Sequence, residues 1–134
     1  MHPPDSKPGA EMAAAALRHL EALGAGTKGV TLAVLTTEDG FEIAAWRGKE
    51  IAGRIAAMSS SLQALSEAIT REAGLAGSRG LIIEAETGTI LVLGIAATSP
   101  RISLAVVATE GETLGQLLWA ARNCCKSLEQ ALKA

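Results

Sequence analysis

Aromatic residues are almost missing from this chain, which has two Trp, one Phe and no Tyr in 134 residues. With no ring faces to stack on bases, and no basic run in a chain of net charge −2, a general role with nucleic acid is not expected. Histidine is equally scarce. His2 lies near the start and His19 in a helical segment, neither with a nucleophile or metal ligand near it in sequence, so general-base work by histidine is not expected. Cys124 and Cys125 are adjacent, a spacing that suits neither a disulfide framework nor a zinc site. They read as small packing residues of a helix, kept reduced. The phosphate loop ending in Lys-Ser or Lys-Thr, G-x-G-x-x-G after a strand, H-E-x-x-H and C-x-x-C are all missing. These gaps predict no catalytic residue, no metal and no cofactor.

Long apolar runs are missing too. No stretch approaches the roughly twenty apolar residues of a membrane span. The alanines Ala13 to Ala16 are followed at once by Arg18, His19 and Glu21, which no signal peptide would tolerate. The expectation is a cytoplasmic protein with no membrane partner. Residues 1–10, with Pro3, Pro4 and Pro8, read as a disordered tail, and 11–134 as one domain.

What the chain does have is aliphatic bulk: 49% hydrophobic residues and a mean hydropathy of +0.28. Either an alanine-rich core is tightly packed or part of this surface lies in a subunit contact. Segment 12–23 reads as a helix, with Ala13, Leu17 and Leu20 on one face and Gly24-Ala25-Gly26 ending it. Residues 29–46 read as a hairpin turning at Glu38-Asp39-Gly40, its first strand apolar or small on both faces. A long helix over 49–73 carries an apolar seam of Ile51, Ile55, Met58, Leu62, Leu65 and Ile69. Beside the seam runs a row of small residues, Ala52, Ala56 and Ser59, followed by Gln63, which lets another backbone approach closely. Glu50–Arg54 and Glu67–Arg71 are spaced for ion pairs on an exposed helix face.

Strands over 79–85, 89–95 and 102–108 follow, joined by a turn at Glu86-Thr87-Gly88 and a loop containing Ser99-Pro100-Arg101. Thr113 and Gln116 form a capping-box pattern opening the last helix. Its seam is Leu114, Leu118, Ala121, Cys125, Leu128 and Leu132, and Trp119 falls almost opposite, near Asn123, Lys126 and Gln130. The order αββαβββα fits an antiparallel sheet with helices on both faces, an α+β protein in three layers, α/β/α. Two other groups read plainly: Glu84 and Glu86 as solvated turn carboxylates, and Ser59-Ser60-Ser61, inside a helix, as a contact surface and not an oxyanion site.

In this order and spacing the chain resembles the Roadblock/dynein light-chain family in its short bacterial form. The likeness is carried by Gly29–Leu35 with Glu38-Asp39-Gly40-Phe41-Glu42-Ile43-Ala44, by Leu81–Gly88 through Leu93, and by Ser103–Val107 with Leu114-Gly115-Gln116. The resemblance implies a five-stranded antiparallel sheet in the order 2-1-5-4-3, the long helix on one face and the terminal helices on the other. It also implies a homodimer joined by the third strands and paired central helices. Members are dynein subunits or partners and regulators of Ras-like GTPases.

A helix joining opposite edges of such a sheet also favours a dimer on physical grounds. Five strands are about 19 Å wide and the helix is roughly 37 Å long, so it overhangs. An apolar edge strand invites pairing. The expected dimer interface is therefore Ala52, Ala56, Ser59, Gln63, Leu81, Ile82 and Ile83, with Arg54, Arg71 and Trp119 as a possible partner surface. The leading expectation is a non-enzymatic homodimeric adaptor or regulator of a Ras-like small GTPase. A PAS- or GAF-like small-molecule sensor is the alternative, and an enzyme the remotest reading.

Overall fold

The computed structural model describes residues 9–95, 101–109 and 111–132. Most of the expected proline-rich tail, and Ser99 and Pro100 of the expected loop, lie outside these residues. The elements are α1 (Ala10–Gly26), β1 (Val30–Thr37), β2 (Glu42–Trp46), α2 (Lys49–Glu72), β3 (Gly80–Ala85), β4 (Gly88–Ile95), β5 (Ile102–Ala108) and α3 (Leu114–Leu132). They build one antiparallel sheet in the order β2-β1-β5-β4-β3, as the resemblance implied. The helix α2 crosses one face of the sheet, and α1 and α3 pack together over the other.

The larger core lies under α1 and α3. Leu20, Leu35, Leu91, Ile95, Ile102, Leu104, Val106 and Leu128 are all fully buried there. The smaller core, between α2 and the sheet, is built from Leu32, Val34, Ala45, Ala52 and Ala56. Strand alternation sorts β1 between the two, with Ala33 and Leu35 on one side and Leu32 and Val34 on the other. A bulge between Val30 and Leu32 inserts one residue against β5, which returns Val30 to the α1/α3 side.

Local chemistry explains the element ends. Gln116 N–H donates to Thr113 Oγ1 at 3.1 Å while Thr113 N–H donates to Gln116 Oε1 at 3.0 Å, the reciprocal pair expected at the start of α3. Gly40 takes φ +91 in the β1–β2 turn. Arg47 and Gly48, at φ +62 and +59, swing the chain from β2 into α2, and the Arg47 guanidinium lies 4.4 Å over the Trp46 ring.

Two sequence readings change. Gly24 does not end α1, which runs on to Gly26. Gly24 is there for packing, because any Cβ at that position would collide with the Trp46 indole. On α3 the inward row is Leu117, Ala121, Cys124 and Leu128, while Leu114 is exposed and Leu118 and Cys125 half-buried. The assumed seam was rotated by part of a turn, because α3 rests on α1 as well as on the sheet.

Both cysteines are free thiols in or beside this core. Burial pushes Cys124 up to about 11. Cys125 rises to about 12, through burial first and then through Cys124, with Arg122 opposing the rise and Glu129 adding to it. Thiols held this far above neutral pH are poor nucleophiles and fit the packing role.

Gly24→Val should lower stability by about 1–3 kcal/mol through overpacking against Trp46. In a Trp46→Leu background the same substitution should cost clearly less, which thermal melts of the four proteins in the cycle would show. For the thiols the sign follows from a folded pKa above the ordinary value of 9.0. Their contribution is fully present below about pH 9 and is lost as pH rises through about 11 and 12, where the folded state too releases the protons. Urea titrations at rising pH should show this loss, and Cys124→Ala with Cys125→Ala should flatten it.

Candidate functional site

The expected interface row and the apolar seam of α2 have exchanged places. Ala52, Ala56, Ser59 and Gln63 are buried within the protomer, against the sheet. They do let a backbone approach closely, but it is the chain's own sheet and not a second subunit. Small side chains seat α2 low on Leu32, Val34 and Ala45. The helix is also tied at its margin, where Ser60 Oγ donates to the Glu38 carbonyl at 2.8 Å and Ser66 and Ser78 share a hydroxyl hydrogen bond. The expected contact surface of Ser59-Ser60-Ser61 is therefore mostly internal wiring, with Ser61 Oγ donating back to the Ala57 carbonyl.

Seating α2 on its small row turns the seam outward. Ile51 and Ile55 still touch the margin of the smaller core. Farther along, Met58, Leu65 and Ile69 are 56%, 59% and 68% exposed. Next to them β3 forms one edge of the sheet. Cross-strand pairing puts Leu81 and Ile83 opposite Val92 and Ile90, on the α2 side and half-buried. Ile82 pairs with Leu91, faces the α1/α3 side and is 43% exposed. The apolar seam and the β3 edge are thus neighbours, whereas the small row stands apart from them inside the protomer.

The residues expected to meet a partner do not form one surface. Arg54 and Arg71 are exposed on α2, while Trp119, 70% exposed, is on α3 across the sheet. The expected helix-face ion pairs are not formed. Glu67 pairs with Arg101, just before β5, and among the described residues Arg54 and Arg71 have no carboxylate partner. Arg71 stands in the last turn of α2, a protruding position and not a helix middle.

Gln63 is the unusual member of the small row. Its amide is buried with neither Nε2 nor Oε1 hydrogen-bonded. It lies over Gly94 of β4, where a Cβ would sit 3.0 Å from Nε2. A shallow pocket of about 210 Å³, lined by Glu38, Ser60, Ser61, Ala64, Glu67, Arg101 and Ser103, adjoins it. On the other face, a groove of about 740 Å³ runs beside α3 over Leu93 and Ile95, with Arg79, Arg122 and Lys126 around it. The sequence reading isolated Trp119 but missed this groove. Its signal was the spacing of Trp119, Arg122 and Lys126 at three and four residues, which places them along one flank of a helix.

Chemically these surfaces are suited to binding. His19 is half-buried on α1, with its backbone carbonyl facing the Cys124 thiol at 3.7 Å. Among the described residues no group of His, Cys, Asp or Glu is placed to hold a metal ion. No helix among them is long and apolar enough to cross a membrane.

Comparison with known proteins agrees with this fold. No curated protein matches the chain in sequence. The Roadblock/LC7 domain from Streptomyces avermitilis is 23% identical, with a TM-score of 0.77 over 87% of this chain and 96% of that one. The gliding protein MglB of Thermus thermophilus is 18% identical, with a TM-score of 0.80 over 97% of each chain. An MglB solved with a tetrameric arrangement is also 18% identical, with a TM-score of 0.81 over 97% of this chain and 96% of that one. The family model of the Roadblock/LC7 domain matches residues 11–108, from the start of α1 to the end of β5, and the chain belongs to that family.

Proposed function

We propose that this chain is a homodimeric interaction module that serves as an adaptor or regulator of a Ras-like small GTPase without supplying a catalytic residue. The observation that carries the dimer is the exposure of Met58, Leu65 and Ile69 on one helix beside the unpaired edge of β3. Large aliphatic groups at this exposure on one helix face are costly in water and are the expected mark of a protein contact. An edge strand of Leu81, Ile82 and Ile83 offers backbone groups to a second copy of itself. A two-fold axis at that edge would pair β3 with β3 and set the overhanging α2 helices side by side. An MglB with a tetrameric arrangement shows that a protein of this fold assembles.

The GTPase reading rests on family membership and on the chemistry at hand. Roadblock-type domains include partners and regulators of Ras-like GTPases, and the surface of this chain offers contacts in place of catalytic groups. Arg71 is the residue that most resembles an inserted cation, being exposed, near a helix end and without an ion-pair partner among the described residues. Its spacing from Glu67 no longer explains it. As a contact residue its loss should weaken binding, whereas a finger would show in the rate, where such a group contributes about 10³–10⁵. No observation favours the sensor alternative over this reading.

Light scattering should give twice the chain mass at micromolar concentration. Leu65→Glu with Ile69→Glu should give the monomer with its fold intact, since both residues are exposed in the protomer and a buried unpaired charge costs several kcal/mol. Ala56→Leu should act differently, lowering the protomer's melting temperature through about 1–3 kcal/mol of overpacking. A monomeric wild type would remove the dimer.

Capture on the immobilised chain with GTP-analogue or GDP present should retain a Ras-like GTPase in one nucleotide state. Arg54→Ala and Arg71→Ala should each reduce that binding modestly. A loss of about a hundredfold in single-turnover hydrolysis with binding unchanged would show that this chain supplies chemistry.

A further inference from the structure

The α1/α3 layer does not reach the β3 edge. The helix α1 rests on β1 and β2, and α3 on β4. Ile82, on that side of β3, is left largely uncovered. A helix is about 10 Å across with its side chains, and two strands occupy about the same width. The strip beside α3 is β3 alone, about 4.8 Å wide, so it forms a ledge along the flank of α3. The groove there follows α3 from Gly115 to Glu129, about 21 Å at 1.5 Å per residue, so it is a long trough and not a compact small-molecule pocket.

Its chemistry is as uneven as its shape. Leu93 and Ile95 of β4 lie beneath it but are already buried in the core, so its open apolar groups are the half-buried Leu118 and the exposed Trp119 of α3. Around them stand three cations, Arg79, Arg122 and Lys126, and one carboxylate, Glu129. Among the described residues none of the three cations has an ion-pair partner. The chain as a whole carries net charge −2, so this local excess of positive charge runs against its composition. Trp119 has no burial role in the protomer, yet it costs apolar exposure to keep there.

We infer that this trough docks an amphipathic helix of a partner protein, one that bears leucine-like residues on one face and glutamate or aspartate along its flanks. The apolar face would lie against Leu118 and Trp119, and the acidic flanks would meet Arg79, Arg122 and Lys126. The site is separate from the α2 surface proposed for the dimer and lies on the other side of the sheet. Charge complementarity sets the choice of partner, and Leu118 and Trp119 carry the affinity.

Two synthetic helical peptides test this, one with leucines at helical spacing flanked by glutamates and the other with lysines in place of those glutamates. Binding is read by anisotropy of a labelled peptide and by Trp119 emission, with Trp119→Phe separating it from Trp46. The glutamate peptide should bind, weaken as salt rises, and lose about tenfold or more in affinity on Arg122→Glu with Lys126→Glu. Both substituted residues are exposed, so melting should be unchanged. The leucines-and-lysines peptide should bind at least about tenfold less tightly. Equal binding of the two peptides, no binding of the acidic one, indifference to the charge reversals, or displacement of the acidic peptide by a single-stranded oligonucleotide at equal concentration would each overturn the assignment.

Discussion

The close approach of α2 to the sheet sets most of what this molecule shows to its surroundings. Ala52, Ala56 and Ser59 have nothing beyond a β-atom or a hydroxyl to hold the helix away from Leu32 and Val34. A helix has one direction in which its narrowest side can face, and here that side is taken by the sheet. The seam about 100° around the helix from it then has to look outward. Had the seam gone inward, the helix would sit farther from the sheet over a thicker core, and its small row would face solvent. Length adds a second consequence. The helix has 24 residues, about 36 Å, and joins the two edges of a sheet about 19 Å wide. Its exposed apolar residues Leu65 and Ile69 lie in the half of the helix that leads to β3.

The sequence was most readable where the signal is local. The β1–β2 turn at Gly40, the Thr113–Gln116 box and the buried, two-faced β1 depend on a few neighbouring residues, and each is present. Strand order came from the family likeness, and the sheet agrees with it. Where sequence reading failed, two partners competed for the same feature. The small row and the seam of α2 are both plausible contact faces, and helical periodicity does not say which meets the sheet. Gly24 shows the same limit. In sequence it looks like a helix stop, yet its reason is Trp46, twenty-two positions away. The spacing of Glu67 and Arg71 suggested an ion pair along the helix, but Glu67 is held by Arg101, which the fold brings near from the residue just before β5.

Of the candidate site, Leu81, Ile82 and Ile83 remain an exposed strand edge, whereas the small-residue half of the expected interface is internal. Arg54 and Arg71, spaced for ion pairs on the face of α2, were grouped with Trp119, opposite the seam of α3, as residues expected on the surface. That criterion finds exposed residues and says nothing about which share a face. The sheet separates them, and the separation has functional content. A molecule with one apolar helix face and one cation-flanked trough on opposite sides of a rigid sheet can engage two partners without either blocking the other. That separation supports the adaptor reading proposed above.

The two faces of the sheet nevertheless share β3. Alternation along a strand sends Leu81 and Ile83 to the α2 side and Ile82 to the α1/α3 side, where it lies beyond the lining of the trough. In a dimer closed by paired β3 strands, Ile82 of each protomer would lie next to the two-fold axis. The two troughs would then become facing halves of a wider channel between the α3 helices. Dimer formation would set two Ile82 side chains between the troughs without moving any cation. Coupling of this kind needs no conformational change, since the troughs are set face to face by the same backbone pairing that closes the dimer. The edge strand is thus the element through which assembly on one face of the sheet would be felt on the other.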